Sequence, residues 1–387
     1  MSRIYFITFL FFTNIIQSQI SYFPSKDNWE SKPASFYGYD QTKLNDAINF
    51  VIENQNKGNK DLRIEILKGF ASEPYHSILG PTKKRVDSNG LILKDGYIIA
   101  SWGDVKEVDM TFSVTKSYLS ALSGIAIDKN LIFSEKDFVS QYVWDKTFDG
   151  EFNSKITWEH LLNQSSDWKG NLWGINDWED RPDISKNIDE WRSQIQQEPG
   201  TSYKYNDVRV NVLAYSLLHV FREPLPKVLK NYIMDPIGAS NSWRWYGYEN
   251  SWVNIDGIMV QSVSGGGHNG GGIFINSEDH ARFGLLYLNK GIWDGKRVLS
   301  EDWISKSIIP SKTNSEYGYM WWLNSEGGED YAKSDWKDVP TNVFYGAGFG
   351  GNYIVVIPDE KIVIVGRWLG RNTIGTFVKM VLESKIN

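Results

Sequence analysis

A chain of 387 residues with 41% hydrophobic content can bury one large core or two smaller ones, and nothing in its composition suggests disorder. A formal charge of -6 and a pI near 5.5 speak against nucleic acid or anionic lipid as partners, since phosphate binding needs clustered Lys and Arg. There is no Cys, hence no disulfide or lipoprotein attachment, and five scattered His without paired spacing leave no metal site to argue for.

Arg3 precedes an almost wholly apolar stretch, residues 4–16, followed by the polar Gln17-Ser18-Gln19. This order suits an export signal over residues 1–19 and a periplasmic or secreted protein. The run is short of the roughly 20 apolar residues of a membrane span, so an uncleaved anchor is only the alternative. Leu44, Ala47, Ile48, Val51 and Ile52 recur at helical spacing and predict a helix over 40–55, capped by Asp40. Two apolar runs, 91–93 and 97–99, joined through Lys94-Asp95-Gly96, predict a hairpin. From Val114 a helix follows, with Tyr118, Ala121, Leu122 and Ile125 on its stripe and an end near Asn130. The stretch 133–252 is rich in Trp, Asp, Asn and Pro, has helical pieces at 158–163 and 211–221, and reads as an insertion of helices and long loops. Strand-like runs return at 272–275, 352–358 and 362–368. The expectation is an α/β (α+β) domain over 35–387: one antiparallel sheet flanked by helices, built from about 35–130 and 255–387, with a mostly helical subdomain inserted over about 131–254.

Ser113-Val114-Thr115-Lys116 spells S-x-x-K where that helix starts. A three-residue step puts hydroxyl and amine on one face, and the helix end offers free N–H groups and a positive dipole. A desolvated, neutral Lys116 amine can take the Ser113 proton, and the Ser113 N–H can hold an oxyanion. Two other patterns are set aside. Gly346, Gly348 and Gly351 spell a dinucleotide fingerprint, but a strand follows them instead of a helix. Glu159-His160-Leu161-Leu162-Asn163 comes too soon after Ser113 to supply a base, so Glu159 is read as structural. His268, in the glycine-rich run 264–270, could line a cleft.

These elements resemble the serine β-lactamase and penicillin-binding-protein-like hydrolases. Pro199-Gly200 followed by Tyr205-Asn206-Asp207 is similar to the P-G-x-x-x-x-Y-x-N element of class C β-lactamases and related esterases, and residues 156–162 to their I-T-x-x-H-L-L segment. Gly271-Gly272, Ser277 and the run 279–283 follow in family order. With Ser113 to Ser117, Ala281-Arg282, Trp321-Trp322 and the glycine turn before Tyr353, the chain is most similar to 6-aminohexanoate-dimer hydrolases. The resemblance implies that Tyr205 stands by Lys116 and Ser113 as general base toward the nucleophile and acid toward the leaving group, its phenol lowered by the Lys116 cation, with Tyr203 as the fallback. It places Gly346-Ala347-Gly348 where the family has K-T-G or H-x-G, and the Phe349 N–H as second oxyanion donor beside that of Ser113. Asp207 stands where Asn is usual and, with Gly346, Ala347, Gly348 and His268, is expected at the substrate. The lysine of K-T-G is absent; Arg367 or Arg371 could replace its charge. The implied activity is cleavage of a small ester or amide through an acyl-enzyme, with no cofactor, no nucleic acid and little β-lactamase activity. The alternative is a penicillin-binding-like receptor with little turnover.

Overall fold

The structure, a computed structural model, describes residues 22–325 and 336–386, so the expected export segment lies outside the described residues. The chain opens with helices α1 (Gln41–Glu53) and α2 (Leu62–Phe70), whose first N–H groups are capped by the carboxylates of Asp40 and Asp61. Strands β1 (Asn89–Lys94) and β2 (Tyr97–Trp102) form the expected hairpin. Asp95 and Gly96 both adopt positive φ, 49° and 89°, the primed two-residue turn whose twist suits the strands. A short strand β3 (Asp109–Met110) leads into helix α3 (Thr115–Asp128), and Asn130 turns left-handed at φ 56° just beyond it.

Helices α4 (Trp158–Leu162) and α5 (Asp207–Phe221) belong to the middle of the chain, followed by β4 (Arg244–Ile255) and β5 (Ile258–Val263). These two strands make a second hairpin, with Asp256 and Gly257 at φ 55° and 85°, inside and just past the stretch read as helices and loops. The boundary expected near 254 therefore falls within a strand. β4 also pairs with β6 (Gly272–Ile275), which pairs with β3, giving a small four-stranded sheet.

Helix α6 (Ser277–Leu288), strands β7 (Trp322–Leu323), β8 (Phe344–Gly348), β9 (Asn352–Ile357) and β10 (Ile362–Arg367), and helix α7 (Ile374–Glu383) complete the chain. The main sheet has the order β7-β8-β9-β10-β1-β2, every pair antiparallel, so both ends of the chain build it. Its inner strands are buried on both faces. Leu91, Leu93, Val363 and Val365 point into the core shared with α3 and α6, while Ile92, Ile362 and Ile364 meet Leu44, Val51, Phe377 and Val381 of α1 and α7. Burial on both sides is why these strands read as unbroken apolar runs. Among the described residues no helix is long and apolar enough to cross a membrane.

Candidate active site

The turn that leads into helix α3 packs against β8 and β9 of the main sheet. It spans Phe112–Val114, and Phe112 takes a left-handed φ of 48°, a conformation that costs an L residue about 1–2 kcal/mol. Packing of its ring against Phe349 and Trp368 holds it there, at centroid distances of 5.2 and 6.3 Å. Ser113 sits in this turn. One step along, Lys116 is 2% exposed and its Nζ donates to Ser113 Oγ at 2.8 Å and to the Gly265 carbonyl at 3.3 Å. The glycine loop backs the turn so closely that a Cβ on Gly266 would stand 2.0 Å from the Phe112 carbonyl oxygen.

The second wall is the start of α5. Asn206 caps it by accepting from the Arg209 N–H at 3.0 Å and is itself fixed by Gln164 and the Asp177 carbonyl. That anchors its neighbours. Tyr205, half-buried, is hydrogen-bonded to Ser113, stacks on Trp322 and has its ring 5.1 Å from Lys116 Nζ. Burial and then the Asp207 carboxylate push its phenol above the usual range, outweighing Arg181 and the Ser113 hydrogen bond. The expected lowering by Lys116 is thus not what the site produces, because Asp207 takes that cation as an ion pair at 2.7 Å. Tyr203 packs on Tyr317 and does not line the cleft.

Asp207 is 2% exposed and lies behind Lys116, away from the cleft wall. Its Oδ1 faces Lys116, its Oδ2 accepts from Arg181 at 2.8 Å, and His268 Nδ1 is 3.6 Å from Oδ2. Burial opposes its charge, yet Arg181 and Lys116 hold it well below the usual carboxylate range. His268 is also buried, 3% exposed, stacked on Phe70 at 4.3 Å with Nε2 3.3 Å from Glu73. Neither residue lines the cleft, which corrects their expected place at the substrate; the carboxylate is taken up by Lys116 and Arg181, and the imidazole faces Glu73, Asp180 and Asp207. Arg181, Asp180 and Glu73 complete this network, and none of them is signalled by a local motif.

Strand β8 closes the site from the third side. A Cβ on Gly346 would meet Ser117 Oγ and Val114 at 3.1 Å, and one on Gly348 would stand 2.2 Å from the Thr111 carbonyl oxygen and 3.3 Å from the Ser113 nitrogen. Glycine lets the strand edge touch the Ser113 turn. The resulting cleft of about 430 Å³ is lined by Ser113, Tyr205, Ala347, Gly348, Phe349, Arg181 and a collar of aromatic rings including Phe70, Trp322 and Tyr353. Gly346 packs beneath it. The cation on its wall is Arg181 and neither of those expected. Arg367 is 1% exposed and spent on Asn352 and the carbonyls of Ile275 and Met110, while Arg371 is exposed outside the lining. Glu159 accepts from the Tyr319 hydroxyl at 2.8 Å, away from this cleft.

Glu73, Asp180 and His268 have ligand-type atoms within 4.8 Å of one another. The Arg181 guanidinium already lies on both oxygens of Asp180, at 2.9 and 3.0 Å, and the imidazole presents its two nitrogens to different carboxylates. Both oxygens of Asp180 are therefore already engaged by a cation of the protein.

A family model described as Beta-lactamase matches residues 104–366. Among solved structures, a beta-lactamase-like protein of Bacteroides dorei shares 15% identity over 89% of this chain and 98% of its own, with a TM-score of 0.59. EstCE1, a hydrolase with promiscuous acyltransferase activity, shares 15% over 89% and 99%, at 0.56. A family VIII carboxylesterase shares 14% over 89% and 97%, at 0.54. At such identities the likeness is one of fold. None of the curated proteins compared is close enough in sequence to match.

Proposed function

Since the chain belongs to the beta-lactamase family of hydrolases, we propose that it is an exported serine hydrolase that cleaves an ester or amide through an acyl-enzyme on Ser113. The observation that carries this reading is the 2.8 Å hydrogen bond from Lys116 Nζ to Ser113 Oγ on the wall of an open cleft. Ser113 Oγ attacks the substrate carbonyl carbon, and its proton passes to Tyr205 in its phenolate form, which returns it to the leaving alkoxide or amine. Lys116 stays paired with Asp207 and stabilises the developing negative charge on Oγ by donating to it. The backbone N–H groups of Ser113 and Phe349 hold the carbonyl oxygen as it becomes an oxyanion. Water then attacks the acyl carbon by the same proton route in reverse, releasing the acid. Because burial and Asp207 raise the Tyr205 phenol, the phenolate is scarce at neutral pH and the rate of acylation rises into the alkaline range.

The aromatic collar and, among the described residues, a wall whose one cation is already paired favour a neutral substrate with an apolar acyl part. The Arg181 charge on that wall is already balanced by Asp180 and Asp207, both of which pair with its NH1. Export rests on residues 1–19 alone. The experiment is intact-mass analysis after exposure to a fluorophosphonate. One added label on the wild type, lost in Ser113→Ala together with hydrolysis of a chromogenic ester, supports the proposal. Hydrolysis that persists in Ser113→Ala refutes it, and a wild type that neither labels nor turns over points to a receptor.

A further inference from the structure

Asp207 is placed where its relatives' motif has asparagine, and the difference is chemical rather than steric. An asparagine would offer one acceptor oxygen and aim an NH2 group at a cation. The carboxylate instead turns Oδ1 to Lys116 at 2.7 Å and Oδ2 to Arg181 at 2.8 Å, with His268 Nδ1 3.6 Å from Oδ2. Its own backbone N–H donates to Asp180 at 2.6 Å, so the main chain at the head of α5 is tied to the same cluster. We propose that Asp207 is a positioning residue for Lys116, and that His268 carries the proton that keeps Asp207 in place, so that Ser113, Lys116, Asp207 and His268 act as one connected unit. The inference deepens the serine-hydrolase reading and rests on it for Ser113 alone.

The charges facing the imidazole support a proton there. Glu73 lies on its Nε2 side, Asp180 and Asp207 on its Nδ1 side, Arg181 bridges the latter two, and the Phe70 ring covers its face. Three carboxylates thus meet the two cations Arg181 and Lys116, and an imidazolium brings the buried cluster to neutrality. Burial works against charge on His268, but the carboxylates of Asp207 and Asp180, each 3.6 Å from Nδ1, outweigh it and raise its pKa. Burial likewise raises Glu73, with His268 pulling the other way. When His268 loses its proton, Asp207 loses one of three neighbouring positive charges and the cluster gains a net negative charge beside Lys116 and Tyr205.

The test uses the full chain with isotope-labelled imidazoles, the His268 signal being identified by its absence in His268→Asn. In the wild type His268 should titrate about one pH unit or more above its midpoint in Asp207→Asn. Asp207→Asn is isosteric and His268→Asn removes a buried ring, so melting curves verify that both variants fold. In parallel, the rate of fluorophosphonate labelling is followed against pH. Wild type should show a several-fold step at the His268 midpoint, absent from His268→Asn although that variant still labels. Equal midpoints in wild type and Asp207→Asn, or superimposable labelling profiles for wild type and His268→Asn, would overturn the proposal. So would Co²⁺ or Zn²⁺ shifting the His268 signal at micromolar concentration, which would make the cluster a metal site. A shifted midpoint in a protein that never labels would refute the role of Ser113 and leave the link between His268 and Asp207 supported.

Discussion

Replacing Gly348 with alanine tests whether the edge of β8 belongs to the reacting geometry. The added methyl would lie 2.2 Å from the Thr111 carbonyl oxygen and 3.3 Å from the Ser113 nitrogen, where ordinary contact begins at 3.4 Å. Thr111 has little freedom to yield: it is fully buried, its N–H donates to the Ile273 carbonyl at 3.0 Å, and its hydroxyl bonds to His280 at 2.6 Å. The strand must therefore retreat by roughly 1 Å, taking the Phe349 N–H with it. A displacement of that size costs on the order of 10² in rate, and the loss of an oxyanion donor about 10² to 10³. The expected result is a kcat lower by about 10² to 10³, with overpacking reducing stability by about 1–3 kcal/mol, so that the variant still folds. Steady-state kinetics on a p-nitrophenyl ester beside a thermal melt read both quantities. A normally melting Gly348→Ala protein with kcat within about twofold of wild type would show that neither this edge nor the Phe349 N–H takes part.

Lys116→Met and Tyr205→Phe should each lower kcat by about 10² or more, and the double variant should fall far short of the product of the two losses, because the groups share one proton route; an unimpaired Tyr205→Phe would remove the tyrosine from that route. On one purified sample, kcat/KM should be highest for a p-nitrophenyl ester, lower for a linear amide and lowest for a cephalosporin, whose carboxylate finds Arg181 already engaged; a cephalosporin ranking first would refute the neutral-substrate argument. Asp207 is depressed in the folded state, so its contribution to stability is present above the unfolded carboxylate value near 4 and is lost as pH falls through the lower native value. The Tm difference between wild type and Asp207→Asn should accordingly shrink in strong acid, and a difference independent of pH would contradict the assignment.

Local chemistry explains which parts of this molecule could be read in advance. The hairpin at Asp95-Gly96 and the first turn of α3 are set by neighbours in sequence, and so is the proximity of Ser113 and Lys116. Asp256-Gly257 carries the same turn signal, but it lies among Trp, Tyr and Asn residues whose pattern is not a clean alternation, since β4 is exposed at some positions on both faces. The charge cluster was beyond reach for a different reason. Glu73, Asp180 and Arg181 meet Asp207 and His268 only after chain segments separated by tens to hundreds of residues have packed together. The left-handed Phe112 is likewise imposed by tertiary packing, as no turn residue marks it. Asp207 was visible as a departure from its relatives' asparagine, but its partners, and hence its direction, were not.

The buried cluster also bears on how the chain reaches its native state. Its members come from five separated stretches of sequence around Glu73, Lys116, Asp180, Asp207 and His268, and each is paired with others of the cluster. A partly assembled form, with the α5 region docked but the 264–270 loop still free, would hold charges out of water without their counterparts, which is costly. Intermediates that bring some of these stretches together are therefore disfavoured relative to both the open chain and the finished fold, and the sheet part and the middle segment are expected to fold and melt in a single cooperative transition.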